Sequence, residues 1–381
     1  MNKIVLVNQT ANYLFADIIK AFASKFPTYN IEAWYGSFDD DVSSLPANVV
    51  LKQGPKYNRD SFSKRVRSWL RFYFWMKKQI CATNIQNTGF FFVSNPPLFV
   101  WLPKINQLRF DCLIYDLYPD VLGNMRKKVL VNAIAKRWEK KNREVLPKAQ
   151  HIYTIGEGLK SAIQQYLPDS LSNNAQIVPV WNKKSNNTQT SSRDFRKEWS
   201  LIGKKVILYS GNIGLTHPLE HLVTLAKQLQ NNTDWSVVIV GNGSKKAELE
   251  QLATGLDNIM FKDLVPFNDL SALLSIASWG YVTLDSSATN TSVPSKTYNL
   301  MAAGIPILAL VNEQSDIAKL VDKYNVGMYF KEQELTTIAN KIIAVSDSEL
   351  SVLSSNAKNT SGYFTSALAN MFADNWATTN V

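Results

Sequence analysis

Short apolar runs alternate along this chain with stretches of helical period. Lys3–Val7, Phe90–Val93, Leu113–Tyr115, Ile152–Ile155, Val206–Tyr209, Ser236–Val240, Gly280–Leu284 and Ile307–Leu310 read as buried strands. Leu14–Phe26, Glu220–Gln230, Lys245–Ala253 and Asp269–Ala277 read as helices between them. Strands separated by helices predict an α/β protein built of parallel βαβ units covered on both faces. The most polar segment, Asn182–Arg193, has linker composition and falls near the midpoint. Two Rossmann-like parallel-sheet domains of similar size are expected, residues 1–180 and 193–359, joined by 181–192.

Composition narrows the class. The 381 residues are 45% hydrophobic and 19% charged, which excludes a disordered chain. Two cysteines, Cys81 and Cys112, exclude a disulfide framework and a cysteine zinc module. Three histidines leave little for a metal site. The net charge of +10 is uneven: residues 1–175 hold 24 Lys and Arg against 13 Asp and Glu, and the rest hold 17 against 18. A basic half of this kind suggests an anionic partner, nucleic acid or an acidic membrane surface. The first apolar run, Ile4–Val7, is too short for a signal peptide. No stretch reaches the ~20 apolar residues of a spanning helix. The expectation is a cytoplasmic protein with free thiols that lies on a membrane without crossing it.

Three segments of the second half place turn chemistry at strand ends. Val206–Tyr209 runs into Ser210-Gly211-Asn212-Ile213-Gly214. Val237–Val240 runs into Gly241-Asn242-Gly243-Ser244 and a helix. In the third, Ser292-Val293-Pro294-Ser295-Lys296-Thr297-Tyr298-Asn299 starts a helix that Gly304 and Pro306 stop. Glycines let backbone approach a ligand, and open helix N-termini bind anions. Each turn alone serves packing as readily as binding. Ligands of open α/β sheets sit at the carboxyl ends of strands, where all three fall. There is no Walker A loop and no full dinucleotide fingerprint.

In this order and spacing, Tyr-Ser-Gly-Asn-Ile-Gly, Ile-Val-Gly-Asn-Gly and Val-Pro-Ser-Lys-Thr-Tyr-Asn-Leu-Met-Ala-Ala-Gly-Ile-Pro resemble the family 4 glycosyltransferases of GT-B fold, in particular bacterial enzymes of O-antigen, capsule and exopolysaccharide synthesis. In the first half Ser94-Asn95-Pro96-Pro97 and Tyr115-Asp116-Leu117-Tyr118-Pro119-Asp120 are similar to further family segments. The resemblance implies two domains facing a central cleft. It also implies that the last segment, 360–381 with Tyr363, Phe364, Leu368, Met371, Phe372 and Trp376 on an apolar face, returns to the first domain. Gly211, Asn212 and Gly214 would lie against the donor phosphates or sugar. Gly241, Asn242, Gly243 and Ser244 would cradle the nucleotide, and Val265 would meet the base. Ser292, Val293, Pro294, Ser295 and Lys296 would hold the diphosphate, and Asn299 a ribose. Asn12, Asn95, Pro96 and Asp116 would face the acceptor. The sequence departs from the family pattern at Thr291 and Asn299, where glutamates are usual. It departs again at Leu215-Thr216-His217, where an arginine and a lysine are usual, and at Gln9-Thr10-Ala11-Asn12, where a glycine pair is usual.

The implied reaction moves a sugar from a nucleotide-diphosphate donor, a UDP-sugar by family habit, to a polyprenyl-diphosphate-linked saccharide, with retention and without a metal or other cofactor. Lys296 would carry the leaving diphosphate's charge and Asp116 would orient or deprotonate the acceptor; Asp116 as a local cap is the plain alternative. His217, a loop histidine beside Pro218, reads as structural, with contact to the donor sugar as its alternative, and His221 reads as a helix-surface residue. On Ser61–Ile80 a stripe of Phe62, Val66, Trp69, Tyr73, Met76 and Ile80 predicts the core face. Lys64, Arg67, Arg71, Phe74, Trp75 and Lys78 predict an opposite face that suits the headgroups of the inner membrane surface. Arg126, Lys127, Lys128, Lys136, Arg137, Lys140, Lys141, Arg143 and Lys148 form a second basic stretch. The competing classes are a GT-B sugar-nucleotide epimerase, for which acids and a histidine are scarce, and a basic nucleic-acid- or membrane-binding protein without catalysis. No nucleic-acid signature is present, so no nucleic-acid partner is expected.

Overall fold

The computed structural model describes residues 2–39, 42–58, 61–122, 129–183, 192–214, 217–284 and 294–380. They form two compact units, one built on residues up to 180 with those from 366 on, the other on 181–284 with 294–365. The first unit holds strands β1 (Lys3–Ala11), β2 (Asn30–Phe38), β3 (Val49–Gln53), β4 (Thr88–Val93), β5 (Arg109–Ile114), β6 (Ile152–Thr154) and β7 (Ala175–Ile177). Their order is β3-β2-β1-β4-β5-β6-β7, with every pair parallel. The second unit holds β8 (Lys205–Ser210), β9 (Trp235–Val240), β10 (Ile259–Lys262), β11 (Trp279–Thr283), β12 (Ile307–Leu310) and β13 (Gly327–Phe330). Their order is β10-β9-β8-β11-β12-β13, again parallel throughout. In each sheet the strand order reverses beside the first strand, the point where doubly wound folds bind ligands.

The continuous apolar runs became central strands because parallel sheets are buried on both faces. All six residues of β4 and of β9 are buried. Strands β2, β3, β7 and β13 escape the sequence pattern. In β2 the polar Glu32 is buried, an arrangement that alternation cannot anticipate. Lys3 and Lys52 pair with it at 2.7 and 3.0 Å, and Trp34 Nε1 donates to it at 2.8 Å. Burial pushes that carboxyl up, but these hydrogen bonds outweigh it and hold it below the usual glutamate value.

The helix Phe62–Cys81 corrects the expected stripe. Its buried residues are Ser68, Trp69, Phe72, Met76 and Ile80, whereas Phe62, in the first turn, is 48% exposed. Trp75 does not belong to an exposed face. Its ring packs 5.8 Å from Trp34 and 5.2 Å from Phe72, and it fills the space beside Gly54 that a side chain would otherwise take. Lys64, Arg67, Arg71, Phe74 and Lys78 are exposed, Phe74 by 61%. In the second basic stretch, 123–128 lie outside the described residues. The Arg137 guanidinium lies over the Trp101 ring and that of Arg143 over Tyr166.

The chain end divides at residue 365. Phe372 packs against Phe91 and Tyr153, and Trp376 against Phe22, all in the first unit. Phe364 instead packs 4.8 Å from Tyr298 in the second unit, where its carbonyl accepts from the Asn182 N–H. Most of the polar segment, 184–191, lies outside the described residues. No helix among the described residues is long and apolar enough to cross a membrane.

Candidate functional site

At the carboxyl end of the second sheet the first two glycine turns pack on one another. The Ile213 N–H donates to the Asn242 carbonyl at 3.0 Å, and that of Lys245 to the Ile213 carbonyl at 3.2 Å. A Cβ on Gly241 would overlap the Gly211 carbonyl, and one on Gly243 the Ile213 carbonyl. Both glycines are therefore required by the contact between the two turns, whatever ligand they also meet. Gly211 takes φ +152°, and a Cβ there would stand 2.9 Å from Lys296 Nζ. A Cβ on Gly214 would crowd the Asn212 amide at 2.5 Å.

Lys296 opens the helix Lys296–Ala302, preceded by exposed Ser295 and buried Pro294. Its side chain folds back over β8. Nζ lies 3.8 Å from the centroid of the Tyr209 ring and is shielded from solvent, with no hydrogen-bond partner among the described residues. Burial lowers its pKa from the ordinary 10.5 to about 7. His217 stands 6.4 Å from the same ring. Burial first, and the Lys296 charge second, lower its pKa from 6.5 to about 4, so it is neutral at pH 7. The Tyr209 hydroxyl donates to the Asn212 carbonyl at 2.6 Å. The structure thus gathers Gly211, Asn212, Gly241, Asn242, Gly243 and Lys296 at one sheet end. Ser244 is exposed beside them, and Val265 follows β10, half-buried. Ser292, Val293, Thr291, Leu215 and Thr216 lie outside the described residues.

Asn299 has a partner within its own unit. Its Oδ1 accepts the Lys183 N–H at 3.2 Å, which ties the start of the second unit to this helix. That oxygen is already engaged within the protein.

A pocket of about 580 Å3 opens at the ends of β11, β12 and β13. His221, Thr283, Asn312, Glu313, Lys331 and Glu332 are among its walls. Lys245 pairs with Glu220 and Lys331 with Glu313, and His221 Nε2 lies 3.4 Å from a Glu332 carboxylate oxygen. His221 is therefore a half-buried wall residue and not a helix-surface one. Sequence reasoning missed this wall and also missed Tyr209. An aromatic in a buried strand reads as core, and its only distinguishing signal is its place two residues before Gly211.

In the first unit, β1 continues through Gln9–Ala11 where the family has its glycine pair, and Gln9 Nε2 donates to the Ser68 carbonyl at 3.0 Å. Asn12 is a helix N-cap: its Oδ1 accepts from the Leu14 and Phe15 N–H groups at 3.1 and 3.4 Å. Asn95 precedes Pro96, and its Nδ2 donates to Thr10 Oγ1 at 2.6 Å. The N–H groups of Tyr115 and Asp116 donate to Ser94 Oγ at 2.9 and 3.3 Å, so the two family-like segments of this half meet at Ser94. Asp116 borders a shallow recess with Ser94, Pro97, Leu117 and Asn142. Solvent reaches its side chain, but protein surrounds it on most sides. Burial raises its pKa, and the Arg65 charge opposes the rise. His151 is buried and donates its N–H to Asp111 at 3.0 Å. Among the described residues no three His, Cys, Asp or Glu side chains gather into a metal-binding group.

Two doubly wound parallel sheets, the second with a shielded lysine amine and paired glycine turns at its switch point, have the architecture of the GT-B fold. Residues 191–360 match the family model of glycosyl transferases group 1. The chain is 33% identical over 123 residues to WcaI of Escherichia coli strain K12, named as a colanic acid biosynthesis glycosyl transferase, covering 32% of this chain and 30% of that one. It is 23% identical over 253 residues to the glycosyltransferase WbjE of Pseudomonas aeruginosa, covering 63% and 60%. The chain thus spans less than two thirds of either relative. The crystal structure of Anabaena HepE in complex with UDP and glucose shares the fold, with a TM-score of 0.71 at 13% identity over 99% of this chain and 100% of that one.

Proposed function

We propose that this protein transfers a sugar from a UDP-sugar to a polyprenyl-diphosphate-linked saccharide, in cell-surface polysaccharide synthesis, without a metal and with retention. The observation that carries the reading is the shielded Lys296 ammonium beside Gly211. An amine held out of water without an anion is a ready partner for one. Transfer develops negative charge on the departing diphosphate, and a fixed cation in a dry site stabilises it strongly. HepE was crystallised with UDP and glucose, and WcaI is named for colanic acid biosynthesis, which supports the donor and the pathway class. Asp116, raised in pKa and held by Ser94, is the group to orient the acceptor or take its proton. The exposed Lys64, Arg67, Arg71, Phe74 and Lys78 suit docking on an anionic inner membrane surface, where a polyprenyl carrier resides. A thermal-shift screen with UDP-, GDP- and dTDP-sugars tests the class and the base together. Stabilisation by none of the three rules the donor reading out.

A further inference from the structure

The Lys296 ammonium needs something to hold it, because no described residue gives it a hydrogen bond or an ion pair. Its Nζ lies over the face of Tyr209, well inside the ~6 Å range at which an aromatic ring attracts a cation. On the other side stands Gly211, where a Cβ would come within 2.9 Å of Nζ. The tyrosine is itself fixed, by its place in β8 and by its hydroxyl's bond to the Asn212 carbonyl.

We propose that Tyr209 is a positioning residue, whose ring face holds the Lys296 ammonium in the slot beside Gly211 so that the cation is in place before the donor's diphosphate arrives. The proposal rests on the donor reading above. The ring's negative face favours the charged amine and opposes the effect of burial. Among the described residues, the titratable groups facing this pair are His217 from the following turn and Tyr281 from β11. His217 titrates at about 4 and burial raises the Tyr281 hydroxyl, so neither changes charge between pH 6 and 9. The response in that window belongs to Lys296.

The test compares Tyr209→Phe, which keeps the ring face, with Tyr209→Leu, which removes it. In 13C-lysine-labelled protein the Lys296 Cε signal, assigned by its loss in Lys296→Met, is followed against pH without ligand. Wild type and Tyr209→Phe titrate near 7. Tyr209→Leu titrates about one pH unit lower, equivalent to about 1.4 kcal/mol. UDP affinity of Tyr209→Leu then falls about tenfold at pH 8 and matches wild type at pH 5, where both amines are charged. An unchanged Lys296 titration, or equal loss of affinity at both pH values, overturns the proposal. If the titration moves as expected but wild type binds no UDP, the donor reading fails, and with it the diphosphate role of the slot. Tyr209→Met replaces the leucine variant if that one does not fold.

Discussion

Gly241 stands so close to Gly211 that a Cβ at 241 would overlap the Gly211 carbonyl oxygen. The clash is with backbone, which cannot rotate aside. Gly241→Ala should destabilise the second unit by about 1–3 kcal/mol, the usual cost of overpacking. It should also weaken nucleotide-sugar binding, because the turn carrying Gly211 must shift. Thermal unfolding and UDP titration measure both; a wild-type melting temperature would show that the turns are looser than this contact requires.

Lys296→Met should lower transfer by about 10²–10³, the scale of losing one preorganised charge partner. It should also change stability with a defined sign. The unfolded lysine titrates at 10.5 and the folded one at about 7, so between those two values the unfolded state holds more protons. The penalty is complete below about pH 7 and disappears as pH rises toward 10.5. The variant should therefore be more stable than wild type at pH 7, and the gap should close with rising pH. Parallel melting curves from pH 6 to 10 check it; a constant gap contradicts an amine whose pKa burial has lowered.

His217 should remain neutral down to a pKa of about 4. Its folded value lies below the unfolded 6.5, so stability is lost as pH falls from 6.5 toward 4. An NMR titration of the His217 ring gives the midpoint directly. A midpoint near 6.5 would mean an exposed ring.

Trp75 and Phe74 are neighbours in sequence with opposite expected effects. Trp75→Ala removes a ring packed on Trp34 and Phe72 and should cost about 3–5 kcal/mol of stability in the first unit. Phe74→Ser, 61% exposed, should leave stability nearly unchanged and reduce co-sedimentation with anionic vesicles, as should Arg67→Glu with Arg71→Glu. Wild-type protein that stays in the supernatant at physiological salt refutes membrane docking.

Asn12→Ala should cost about 1 kcal/mol through the lost cap and leave the acceptor KM unchanged, with Asn12→Ser restoring stability. A raised acceptor KM at normal stability would give Asn12 an acceptor role beside its cap.

Continuous apolar runs betrayed the central strands, because a parallel strand covered on both faces has no polar side to hide. The same logic hid β2, whose Glu32 is tolerated only because Lys3 and Lys52 arrive from the two flanking strands. The order of the glycine turns and Lys296 was equally legible, since both the turns and the helix start are written in local residue choice. What each polar group does there was not local. Whether the Asn299 oxygen is taken by Lys183 and whether Trp75 is covered depend on atoms far away in sequence. The sequence by itself determined a two-sheet α/β chain with an anion-binding set at one sheet's carboxyl end. Only the tertiary structure decided that the lysine of that set lies dry over Tyr209, because desolvation and ring contact exist only once β8 and the Lys296 helix have packed together.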